Sequence, residues 1–222
     1  MRPDARLADA FDIHPPPIAA AGGLPAVLTQ AQPFDRGGRE GRVMTTHVAL
    51  LRGINVGGRT KVGMDDLRRV FLALGYAGVK TYVQSGNVLF RSPVEEPPPS
   101  AAAIEQRIAR DLGVTTTVLL RNGDDLAHVI ANNPFLGRVP DPTKLHVTFL
   151  AEPPDPERAA RLETPSGEPD AFSLAGREVY LHCPNGYGRT RLSNTNIERK
   201  LSVVATTRNW TTVNALLELA QS

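Results

Sequence analysis

A change of apolar period runs through this chain in the same order twice. His47 to Arg52 is a strand-like apolar run, followed by Leu67, Val70, Phe71 and Leu74 at i, i+3, i+4 and i+7, one helix face ended by Gly75. Val79 to Gln84 and Val88 to Arg91 are β-prone runs around the turn "SGN". Ser100 can cap a helix carrying Ile104, Ile108 and Leu112 on one side, with Gly113 as its stop, and Thr115 to Leu120 is a strand. A short helix over Asp124 to Ala131 follows. The order βαββαβ then recurs: strand Leu145 to Leu150, a helix opened by Asp155 and Pro156, a hairpin of Ala171–Leu174 and Glu178–Cys183, a helix Asn194 to Leu201 and a strand near Val203 to Thr207. A last helix has Val213, Leu216, Leu217 and Ala220 on one face.

This pattern predicts an α+β fold of two tandem ferredoxin-like (βαββαβ) α/β plait subdomains, although the letters show no convincing internal repeat. The first plait is expected over residues 44–140 and the second, with the C-terminal helix, over 141–222. Residues 1–43 hold "HPPPIAAAGGLP" and "FDRGGREG" without periodicity, and read as a disordered tail, with Met44 a candidate for the true start.

Bulk chemistry excludes more than it assigns. The net charge is +2, too small to indicate nucleic-acid binding by itself, and no stretch has the apolar length of a membrane span. The single cysteine, Cys183, precludes an internal disulfide and fits a reducing cytoplasm. It reads as a packed thiol. Arginine dominates the positive charge, with lysine at only Lys61, Lys80, Lys144 and Lys200, a usage associated with high-GC bacterial genomes.

Gly53 to Thr60 spells G-x-x-x-x-G-R-T, close to a phosphate-cradling P-loop. The chemistry does not follow the spelling. "KVG" delays the helix to Met64 or Asp65, and Asp65 and Asp66 in its first turn would repel an anion.

The segments "HVALLRGINVGG", "TYVQSGNVLF", "LHVTFL", "VYLHCPNGYGRTRLSN" and "ATTRNWTTV" resemble, in this order, a widespread family of small bacterial proteins catalogued as a domain of unknown function. The resemblance spans Thr46 to about Ala220. It implies a pair of α/β plaits and supplies no activity, cofactor or catalytic residue. Arg191 stands where the family leads one to expect lysine.

Three arginine-bearing segments are the ligand candidates. The loop after the first strand offers Arg52, Asn55, Arg59 and Lys61 around Gly57 and Gly58, cations on a backbone that permits close approach. "NGYGRTRLSN" offers Tyr187 for stacking and Arg189 and Arg191 for bidentate contact. "TRNW" offers Arg208 beside Trp210, which also reads as a core anchor. Between Arg177 and Arg208 six basic residues face two acidic ones, Glu178 and Glu198. Plait topology is expected to put the loops after strands one and three at one sheet edge and the "SGN" hairpin at the other. Strand parity is expected to put His146, Tyr180 and His182 on one face, opposite Val147, Phe149, Val179 and Leu181.

These residues point to binding of an anionic ligand, a nucleotide-like metabolite or a nucleic-acid backbone, through Arg52, Asn55, Arg59, Lys61, Tyr187, Arg189, Arg191 and Arg208. The alternatives are an enzyme on a small phosphorylated or carboxylated substrate, with His146 or His182 as acid-base, and a structural or partner-binding module without ligand. The sequence calls for no cofactor, no metal and no membrane, and leaves the oligomeric state open.

Overall fold

The computed structural model describes residues 42–56, 61–167 and 169–222, so residues 1–41 of the expected tail and Arg59 lie outside the described residues. β1 (Met44–Leu51), α1 (Met64–Ala73), β2 (Ala77–Tyr82), β3 (Asn87–Pro93), α2 (Ala101–Leu112), β4 (Val118–Asn122) and α3 (Gly123–Ala131) come first. β5 (Leu145–Leu150), α4 (Pro156–Ala160), β6 (Ala171–Ala175), β7 (Glu178–His182), α5 (Asn194–Leu201), β8 (Ala205–Asn209) and α6 (Trp210–Gln221) repeat the order. They form two four-stranded antiparallel sheets, ordered β2-β3-β1-β4 and β6-β7-β5-β8. No helix among the described residues is long and apolar enough to cross a membrane.

Local signals set most boundaries. Ser100 accepts from the Ala103 N–H and caps α2, and Gly113 ends it at φ 66°, where a glycine carries no Cβ penalty. β4 and β8 both start later than the apolar run suggests. The reason is the same in each: the Val118 N–H donates to Glu105 Oε1 at 2.7 Å and the Ala205 N–H to Glu198 Oε1 at 2.8 Å, so a helix side chain takes the first strand donor.

Alternate strand residues serve two cores. Ala49, Leu51, Val88 and Phe90 pack under Leu67, Val70 and Phe71 of α1 and Ile104 and Ile108 of α2. Val48, Leu50 and Leu89 join Leu145, Val147, Phe149 and Tyr180 of the other sheet, with Leu126 of α3 and Trp210, Val213 and Leu216 of α6, in one shared core. Each such side chain contributes about 1.5–3 kcal/mol on burial. The sheet face that RNA-recognition plaits use for stacking is therefore packed inside the protein.

Two arginines cross this junction reciprocally. Arg121 of β4 donates through Nη2 to the Leu150 carbonyl at 2.9 Å and to Glu178 Oε1 at 3.1 Å, at the end of β5 and the start of β7. Arg208 of β8 donates to the Leu51 carbonyl at 2.9 Å, the Ser85 carbonyl at 3.2 Å and Asn87 Oδ1 at 2.5 Å, at the end of β1 and the start of β3. Each is followed by an asparagine that caps the next helix: Asn122 accepts from the Asp125 N–H and Asn209 from the Thr212 N–H. Arg208 is 7% exposed, and burial lowers it to about 10, so it stays cationic at neutral pH. Carbonyl, hydroxyl and amide oxygens surround it.

Replacing Arg208 strands several buried acceptors at once. Arg208→Met is expected to destabilise the protein by about 3 kcal/mol or more in urea unfolding, with Arg208→Lys recovering little because an ammonium cannot fork. Combined with Asn87→Ala, the losses should fall short of additivity by about 0.5–3 kcal/mol. Full additivity would show that the two side chains do not act together.

Candidate functional site

The β1 exit loop is held more tightly than a bare glycine corner would be. Asn55, at φ 56°, donates Nδ2 to the carbonyls of Val62 at 3.0 Å and Gln84 at 2.8 Å, and its Oδ1 accepts from the Val62 N–H at 2.9 Å. Its amide shapes the loop from within. Arg52 meets Glu198 of α5 in a two-point contact, Nε to Oε1 at 2.6 Å and Nη2 to Oε2 at 2.7 Å, with side chains 42% and 15% exposed. Lys61 is exposed. A cleft of about 310 Å³ opens at this contact, lined by Arg52, Thr117, Glu198, Ser202, Val203 and Val204.

The "SGN" hairpin lies beside this loop, not at the opposite edge. β1 pairs antiparallel with β3 through Leu50 and Asn87, so the end of β1 and the start of β3 share one edge. By the same register logic, Leu145 opposite His182 puts the exit of β7 at the edge where β5 begins, away from the exit of β5. Loops after first and third strands leave from opposite edges because those strands are antiparallel. Gly86 shows how close the approach is: at φ +71°, a Cβ there would lie 2.9 Å from Leu51 Cβ and 3.2 Å from Ile54 Cβ.

Strand pairing also separates the histidines. His146 stands opposite Leu181 and His182 opposite Leu145, so the two imidazoles are on opposite faces, and Tyr180 shares its face with Val147 and Phe149. β5 and β7 are antiparallel, so shared faces follow the register and not the parity of residue numbers. His146 stacks on Tyr187 with ring centroids 4.9 Å apart, and burial lowers its basicity. His182 packs near Phe135. Cys183 is fully buried, and burial pushes its thiol up to about 11.

In the second arginine segment, Tyr187 turns inward. Its hydroxyl donates to Thr207 Oγ1 at 3.0 Å and accepts from the Asn194 N–H at 2.9 Å, so the ring braces α5 instead of offering a free stacking face. Arg208, similarly, spends its donors in the junction. Arg189 and Arg191 are exposed. Arg191 borders a larger open cleft of about 570 Å³ with the cations Arg199 and Lys200. Ser193, Thr195 and Asn196 add neutral polar groups, and Glu163 with Pro165 forms the far wall.

The cleft has a structural origin. α1 and α2 span 10 and 12 residues over the first sheet, whereas α4 is only 5 residues long and gives way to an irregular stretch that includes Glu163 and Pro165. Asn196 organises the near wall: its Nδ2 donates to the Arg191 carbonyl at 2.7 Å, and its Oδ1 accepts from Arg199 Nη2 at 2.8 Å. Lys200 Nζ lies 3.6 Å from Glu163 Oε1. Charge counting over Arg177–Arg208 includes Arg199 and Lys200 without singling them out. The helical spacing of Asn196, Arg199 and Lys200 is the signal that could have done so.

Burial alone would raise the Glu198 carboxyl, but the donors from Arg52 and the Ala205 N–H outweigh it and hold the group below the usual glutamate value of 4.5. A carboxyl depressed in the folded state contributes stability that is present above its unfolded value and lost as pH falls through the folded one. Glu198→Gln should therefore be less stable than the wild type at pH 7. That gap should close as pH drops below about 4.5 toward the folded value. Equal stability across the range, followed by denaturant midpoint, would show that the Arg52–Glu198 contact contributes nothing.

Comparison with known proteins bears on the fold and the family. No curated protein matches this chain. A solved structure, "The structure of conserved bacterial protein SP0830 from Streptococcus pneumoniae", is similar at a TM-score of 0.62 and 22% identity, covering 81% of this chain and 99% of that one. At that identity the likeness concerns the fold. The family described as "Protein of unknown function (DUF1697)" matches residues 44–180, more than half of the sequence, and this chain belongs to that family.

Proposed function

We propose that this protein binds an anionic ligand, a nucleotide-like metabolite or a nucleic-acid backbone, in the cleft beside α5. The observation that carries the reading is the convergence of Arg191, Arg199 and Lys200, with Ser193, Thr195 and Asn196, around about 570 Å³ of open space. That volume lies within the range of small-ligand sites. Only one carboxylate, Glu163, is among the described lining residues. Asn196 holds the Arg199 guanidinium and the Arg191 main chain in place, which lowers the ordering cost of binding.

The other sequence candidates take supporting roles in this reading. Arg189 is an exposed cation in the loop that leads into α5. Lys61 is exposed after the first glycine-rich loop. Tyr187, Asn55, Arg52 and Arg208 do not line this cleft, and their polar groups meet protein partners. The strand order and connectivity of each half support a tandem of ferredoxin-like plaits divided near residue 140. The acid-base reading is weaker, because no histidine is among the described lining residues of either cleft.

Each charge-assisted contact is worth about 1.5–3 kcal/mol, so loss of one arginine should weaken binding about tenfold or more. Thermal-shift measurements against nucleotides, sugar phosphates and short RNA should show a ligand-dependent rise in Tm that Arg191→Ala with Arg199→Ala removes. A steep fall of affinity with salt would indicate a polyanion backbone, and a shallow one a small ligand. Equal shifts in the wild type and the double variant would contradict the site.

A further inference from the structure

The α5 cleft also has a chemistry that narrows its ligand, if the reading above holds. Nucleobases are gripped by stacking on aromatic rings or arginine planes and by apolar slots. Among the described lining residues there is no aromatic side chain, Pro165 is the one apolar wall, and the two guanidinium planes are the remaining surfaces a base could lie on, in competition with phosphate. Tyr187, the nearest aromatic candidate in sequence, keeps its hydroxyl on Thr207 and Asn194 and one ring face on His146. The remaining groups recognise phosphate oxygens: two guanidinium forks, an ammonium, two hydroxyls and an amide.

Glu163 adds a second condition. Its side chain is 79% exposed, and its carboxylate already stands 3.6 Å from Lys200 Nζ on the rim of the cleft. An incoming anion must displace it from the ammonium. A ligand with one phosphate gains little by that exchange, whereas linked phosphates can engage Arg191 and Arg199 at the same time and recover the loss.

We infer that the α5 cleft takes an oligophosphate, reading its linked phosphates and not an attached base, with Glu163 disfavouring singly phosphorylated anions. The phosphate chain is recognised whether it is free or carried by a nucleotide.

The test is isothermal titration of the full chain at low salt with three probes, inorganic tripolyphosphate, ATP and orthophosphate. Tripolyphosphate and ATP are expected to agree within about threefold, less than the fivefold or more that a stacked base contributes. Orthophosphate should bind at least about fivefold more weakly, and Glu163→Gln should improve its binding about threefold. ATP binding more than threefold tighter than tripolyphosphate would overturn the inference and leave anion binding standing. So would a smaller gap to orthophosphate, or no change in Glu163→Gln. If no probe binds, or if Arg191→Gln with Arg199→Gln binds like the wild type, the anion reading itself falls with it.

Discussion

The structure depends on a buried cation. Arg208 sits at 7% exposure with its guanidinium spread over the Leu51, Ser85 and Thr207 carbonyls and the Asn87 amide oxygen. Burying a charge is costly unless every donor finds an acceptor, and here strand ends and a hairpin turn are arranged to supply them. Asn87 also donates to the Tyr82 carbonyl and Ser85 Oγ, and Gly86 beside it has no room for a Cβ against Leu51 and Ile54. The sequence segments around Leu51, Gly86 and Arg208 thus belong to one clasp. Arg121 forms its counterpart on Leu150 and Glu178, and the two clasps close the shared core from both sides.

Where this near-symmetry fails, the surface changes character. Glu105 and Glu198 hold corresponding strand N–H groups, but among the described residues only Glu198 also receives an arginine from the other half. The five-residue α4 replaces what in the first half is a ten-residue helix, and the space it leaves is the cleft under Arg191, Arg199 and Lys200.

Much of the architecture was legible because it rests on local signals. Helix faces such as Leu67, Val70 and Phe71, the Ser100 cap and the Gly113 stop each act over a few residues, and the two sheets follow from their order. The site was harder to read. Arg208 and Asn55 looked like exposed ligand groups because a sequence does not reveal which acceptors a donor will meet across 121 or 29 residues. The internal repeat was hidden for a related reason. It survives as an arginine and a capping asparagine, Arg121–Asn122 and Arg208–Asn209, and as the glutamates of α2 and α5, too few identities to stand out. His146 and His182 were misplaced by a single step of strand register, which exchanges the faces of a sheet.

An anion site along α5, and not in the glycine-rich loop after β1, would respond locally to a bound phosphate chain. Amide chemical-shift mapping by NMR during titration with tripolyphosphate tests it most directly. The account predicts the largest changes at Arg191, Thr195, Asn196, Arg199 and Lys200, with Glu163 following. Changes confined to Arg52–Lys61, or none in either segment, would contradict it.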